Sequence, residues 1–182
     1  MPVVSAKQHQ KQQMTLVFRR TGQRRYAVEV RRPGLPDLEI NPAPGYDPLM
    51  PHDLMHLVVE ARLGLTRAIY GQLAAGGNAG TFRLSVDRDQ SSRQITRARK
   101  RVTARGKNLL KDGRDECAQS ERATYLCLQE WRGQSAGATE LLNISQSKME
   151  EICEHLDQLS SHWSNLEIGQ SMAVAWPDLN IL

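Results

Sequence analysis

Two β-rich runs near one end of the chain and a third near the other bracket a long stretch whose apolar pattern is helical, and this arrangement constrains the fold more than any other feature. MTLVFRR (14–20) and RYAVEVRR (25–32) are joined by TGQR. In the second run Tyr26, Val28 and Val30 alternate with Ala27, Glu29 and Arg31, the period of a half-buried strand, so the pair predicts a hairpin with Gly22 in its turn. LEI (38–40) adds a short third strand. At the far end QSMAVAWP reads as a strand closed by proline, placed to pair with the hairpin. Sheet at the ends and helix between predicts an α+β fold, a small antiparallel sheet packed on four or five helices.

The helices announce themselves by period and punctuation. NPAPGYDP, with three prolines, cannot be helix and reads as an extended connector. Pro51 then suits a first helical turn, and Gly64 suits its end. Thr66 is a candidate cap for TRAIYGQLAA, which Gly76 and Gly77 would terminate. Residues 77–92 read as a loop with a short strand at FRLSV, and GQLAAGGNAG as helix end and flexible loop. Residues 92–131 read as helix broken near Gly106 or Gly113. Met149, Ile152, Cys153, Leu156, Leu159 and Trp163 give the clearest helical stripe, with Ser145 or Ser147 as cap.

The polar, glutamine-rich tract of residues 1–13 has no apolar period and reads as a disordered tail ahead of one domain spanning 14–182. It lacks the apolar core of a secretory signal, and no run approaches the roughly 18 apolar residues of a membrane span. Three cysteines without CxxC spacing suit reduced thiols, so a cytoplasmic protein with no membrane partner is expected.

PHDLMHLVVE (51–60) carries the candidate chemistry. On a wheel of about 100° per residue, Leu54, Leu57, Val58, Ala61 and Leu65 form a core face. His52, Asp53, His56 and Glu60 fall opposite, but Val59 and Leu63 flank them, so a second layer is expected to cover the polar stripe. His52 and His56 are one turn apart, as in helical zinc sites. Near a helix N-terminus the macrodipole favours neutral imidazole, the ligand form. A divalent metal, zinc first, held by His52, His56 and Glu60 is one expectation, with Asp53 or Glu60 as base for metal-assisted hydrolysis. The other is an ordinary helix face, with Asp53 complementing the dipole and His56 bonded to Glu60. His155 and His162 are more distant candidate ligands, and Asp47 and Tyr70 candidate supporting groups.

Charge offers a different function. Residues 1–114 hold 21 of the 24 Lys and Arg but 9 of the 20 acids. Nine cations between Arg93 and Arg114 face one acid, Asp112. Such density could bind nucleic acid or an acidic protein partner. Alternatively Ile95, Val102 and Leu109, seven apart, pack this helix against the acidic half of the chain.

Two resemblances follow from these residues. RPGLPDLEINPAPGYDPLMPHDLMHLVVEARLGL, with GQLAAGGNAGTF and the late AWP, resembles a family of small uncharacterised bacterial proteins. HDLMH resembles the motif of the ubiquinone-biosynthesis HDxxH family, whose likeness implies divalent-metal binding. Where that family carries a downstream glutamate this chain has Ala68, and Glu60 is the nearest acid.

Overall fold

The structure is a computed structural model and describes residues 13–85 and 91–182. All but Gln13 of the tract read as a disordered tail lies outside the described residues, as does Val86 of the FRLSV strand. The sheet runs β4-β3-β2-β1-β5 and is antiparallel throughout, from β1 (Met14–Gly22), β2 (Arg25–Arg31), β3 (Leu38–Ile40), β4 (Arg83–Leu84) and β5 (Ser171–Trp176). The predicted hairpin is β1–β2, and the terminal strand pairs with β1 from Met14↔Trp176 to Arg19↔Ser171. Register places Leu16 between Val30 and Val174, and Phe18 between Val28 and Met172, all buried on one face. Because side chains alternate, Val17, Arg19 and Glu29 fall on the opposite face and keep contact with solvent.

α1 (His52–Leu63) is the central helix. It packs against α4 (Arg114–Trp131) and α6 (Gln146–Ser164), and its buried residues run without a break from Leu54 to Glu60. A helix covered on every side has no wet face, which is why the polar stripe of α1 is internal. Gly64 ends it in the left-handed region (φ 67°), with Leu65 N–H closing on Glu60 O. On α6, Ser145 rather than Ser147 is the cap, accepting from Lys148 N–H at 3.1 Å. Met149, Ile152, Leu156, Leu159 and Trp163 line its buried face, as their period predicts.

α2 (Ile69–Ala74) is shorter than TRAIYGQLAA suggests, and Thr66 does not cap it. Its ends are held by buried side chains from elsewhere. The Glu60 carboxylate accepts from Ile69 and Tyr70 N–H, at 3.3 and 2.9 Å. The Arg32 guanidinium donates to Leu73 O and Gly77 O at 3.0 and 2.7 Å. An anion at the N-terminus and a cation at the C-terminus both complement the helix dipole.

α3 (Ser92–Asp112) begins with a capping box between Ser91 and Gln94 and runs through Gly106 to the break at Gly113. Its seat is the GGNAG loop, which is therefore a packing surface as well as a helix end. A methyl on Gly106 would lie 2.2 Å from Asn78 Oδ1, and one on Gly77 would lie 2.9 Å from Leu109 Cδ1. A side chain at either position would force these neighbours to shift. Val102 and Gly106 are the only residues of α3 that are buried. The short α5 (Ala138–Leu142) links α4 to α6.

Candidate functional site

The residues of PHDLMHLVVE part company in the fold. His56 and Glu60, 3% and 0% exposed, face α4 together. There Ser120 and Thr124, one turn apart, supply hydroxyls between small neighbours. Ser120 Oγ donates to Glu60 Oε1 at 2.7 Å and lies 2.9 Å from His56 Nδ1; Thr124 Oγ1 is 3.2 Å from the same nitrogen. When Ser120 gives its proton to an ionised Glu60, it can accept from His56 Nδ1–H, which leaves the imidazole lone pair on Nε2. Nε2 lies 3.7 Å from the exposed carboxylate of Glu121. The result is a hydrogen-bonded chain Glu60–Ser120–His56 inside the helical layer.

Burial governs its titration. Desolvation pushes the Glu60 carboxyl up to about 7, against the three hydrogen bonds that favour its anion. Desolvation, reinforced by His52, pushes His56 down to about 4, so the ring is neutral at neutral pH. The predicted covering layer is thus α4, and the predicted neutral histidine is realised through burial.

Asp53 points elsewhere. Tyr26 Oη lies 2.6 Å from its Oδ2 and also within reach of the Pro44 carbonyl, while Tyr70 Oη donates to the Asp53 backbone carbonyl. Burial raises the Asp53 carboxyl above its usual range, partly offset by the Tyr26 bond and His52. These contacts join β2, the proline-rich connector and α2 to the start of α1. His52 is half-buried, its ring edge-on to His56 with centroids 4.6 Å apart.

His155 Nδ1 and His162 Nδ1 lie 2.8 and 3.0 Å from carbonyls of their own helix, so neither crosses to α1. Asp47 pairs with Arg132. Among the described residues no three His, Cys, Asp or Glu side chains form a group that could hold a metal ion. Glu60 accepts from Ile69 N–H, Tyr70 N–H and Ser120 Oγ, so a metal held by His52, His56 and Glu60 would compete with those hydrogen bonds.

Ser120, Thr124 and Arg32 escaped the sequence reading, though each carried a signal. Ser120 and Thr124 are hydroxyls at i and i+4 on one face of a helix. Arg32 continues the inward register of Tyr26, Val28 and Val30. Its guanidinium, 4% exposed, is lowered to about 10 by desolvation.

The second candidate lies on α3 and the first residue of α4. Arg93, Arg97, Arg99, Lys100, Arg101, Arg105, Lys107, Lys111 and Arg114 are all exposed. None takes part in an ion pair among the described residues. The basic and acidic halves do meet, but through Arg62–Glu151 at 2.9 Å and Arg67–Glu116 at 2.7 Å, from α1 and the loop after it. The expected answer of the acidic half to α3 is not found in those pairs. At about 100° per residue, Arg93, Arg97, Lys100, Lys107 and Lys111 form one stripe opposite Val102. That stripe runs roughly 27 Å, from 18 residues at 1.5 Å each.

Among the described residues no helix is long and apolar enough to cross a membrane. Compared with known proteins, the chain matches no family model, no curated protein and no solved structure.

Proposed function

We propose that this protein binds nucleic acid through α3, by charge and without reading sequence along the helix. The observation that carries the reading is the exposure of all nine cations between Arg93 and Arg114 with no ion pair among the described residues. Cations left unpaired on a helix that buries so little cost stability through self-repulsion, and a polyanion removes that cost. Along the stripe the cations are spaced by four, three, seven and four residues, about 4.5–10.5 Å at 1.5 Å per residue, a row suited to a phosphate backbone. This reading takes precedence over metal-assisted hydrolysis on α1, because Glu60 is committed to three donors and Asp53 to the Tyr26 contact.

Salt tests it. If the five stripe cations each neutralise one phosphate of a duplex, log K falls with log salt at a slope of about −4.5. Doubling the salt then weakens binding roughly 20-fold. Arg97→Glu/Lys100→Glu/Lys107→Glu is expected to abolish measurable binding while leaving the melting temperature equal or higher, since these side chains form no ion pair among the described residues. Fluorescence anisotropy with a labelled duplex across a salt series reads both. Binding that ignores salt, or survives the triple reversal, refutes the proposal.

A further inference from the structure

α3 does more than display cations, because it forms one wall of a cavity against the end of the sheet. The cavity, about 460 Å³, is lined by Glu39 on β3, Phe82, Arg83 and Leu84 at β4, Asn78, and Arg99, Val102 and Thr103 on α3. Its volume lies in the usual range of small-molecule sites, roughly 300–1,000 Å³. Phe82 and Val102 are buried and make an apolar floor, while Glu39, Arg83, Arg99 and Thr103 are exposed around it. Asn78 is spent on the loop: its amide donates to Phe82 O at 3.2 Å and its Oδ1 accepts from Gly80 N–H at 3.4 Å.

The side chains of Glu39, Arg83 and Arg99 have no ion pair among the described residues. Glu39 and Arg83 are direct cross-strand partners, an arrangement in which opposite charges ordinarily pair. Yet no ion pair joins them, and neither Glu39 nor Arg99 has one among the described residues. Among the described residues, one carboxylate and two guanidiniums therefore line one space without an ion pair. An inorganic anion would meet the guanidiniums but be repelled by Glu39. A cation would meet Glu39 and be repelled by Arg83 and Arg99. A fitting ligand carries an anionic group and, a few ångströms away, a pair of hydrogen-bond donors.

Building on the nucleic-acid reading, we infer that this cavity receives one unpaired guanine nucleotide of the bound strand. Its phosphodiester lies between Arg83 and Arg99, and its N1–H and N2–H donate side by side to the Glu39 carboxylate. Guanine is the base whose Watson–Crick edge offers two parallel donors. The other bases set an acceptor beside their single donor group, and that acceptor would face the carboxylate. Exposed edges of unpaired bases are the usual substrate of such readout.

The test uses the full chain and two single-stranded RNA 12-mers, one all adenine and one with a single central guanine. Wild type is expected to prefer the guanine strand about tenfold, in keeping with one good bidentate contact, and Glu39→Gln to bring the ratio of dissociation constants close to one. In parallel, amide chemical shifts of Phe82, Arg83 and Thr103 are expected to move with GMP at concentrations where AMP leaves them still. Equal affinity for the two strands, with binding that still depends on α3, overturns the guanine site and leaves the nucleic-acid reading standing. GMP binding with no binding of any oligonucleotide supports the cavity and overturns the role of α3. If GMP leaves those shifts unmoved and neither strand binds, both are wrong.

Discussion

Glu60 and His56 sit on one hydrogen-bonded chain, yet their proton affinities move in opposite directions. Folding raises the Glu60 carboxyl from 4.5 to about 7, so the folded protein holds this proton more tightly than the unfolded chain. Stability from this group is greatest below about 4.5 and is lost as pH rises through about 7. Folding lowers His56 from 6.5 to about 4, so stability from the neutral ring is present above about 6.5 and is lost as pH falls through about 4. Between about 4.5 and 6.5 the two oppose one another: the folded state carries its proton on Glu60 and the unfolded state on the histidine. Their joint contribution is nearly flat there. Glu60→Gln removes one side of the balance. Urea unfolding at pH 4.5 and 7 is expected to show the variant losing on the order of 3 kcal/mol more than wild type on acidification, from about 2.5 pH units at 1.36 kcal/mol each. Parallel profiles for the two proteins would show that Glu60 does not hold its proton in the fold.

Elements whose evidence is local were legible; those positioned by a distant side chain were not. The β1–β2 hairpin, the α6 stripe and the stop of α1 at Gly64 each declare themselves within a few residues, because alternation, helical period and a left-handed glycine are local physics. Val59 and Leu63 beside the histidines foretold a covering layer, although nothing local said that α4 would supply it. The cap of α2 was illegible, since its carboxylate comes from Glu60 nine residues earlier, across a loop, and outcompetes the nearby Thr66. The glycines of the GGNAG loop signal a helix end, but nothing local shows that the loop is also the seat of α3. Gly106→Ala tests that seat, because its methyl would lie 2.2 Å from Asn78 Oδ1. Alanine ordinarily favours a helix interior by about 1 kcal/mol over glycine. Here the clash is expected to win, lowering stability by about 1–3 kcal/mol, the usual cost of overpacking. Hydrogen exchange should rise in residues 76–80 and 102–110 while β1 and α1 stay protected, and Asn78→Gly should restore the docking. A higher melting temperature for Gly106→Ala would mean that α3 does not rest on this loop.

At the scale of the whole molecule, β5 connects the last helix to the first strand, and the fold's outline depends on that closure. β5 covers β1 from Met14 to Arg19 and buries Met172, Val174 and Trp176, with Leu179 packed just beyond. Trp176 also meets the ring of Tyr70, the centroids 5.5 Å apart, so the strand reaches the helix that supports the seat of α3. Four buried apolar side chains at about 1.5–3 kcal/mol each amount to roughly 6–12 kcal/mol. Whole-domain stability is about 5–15 kcal/mol, so the two are of one size. Loss of β5 would in addition leave β1 as an unpaired edge, with Leu16 and Phe18 uncovered on one side. A chain ending after Leu166 is therefore expected to lose cooperative unfolding and to associate through that edge, whereas one ending after Leu179 keeps the pairing of β5 with β1 and loses only the bridge of Val174 to Ile181 and the hydrogen bonds of residues 180–182. Differential scanning calorimetry with light scattering separates the cases. A cooperative transition near the wild-type temperature in the shorter chain would show that β1 to β4 and the helices form a complete core without the terminal strand.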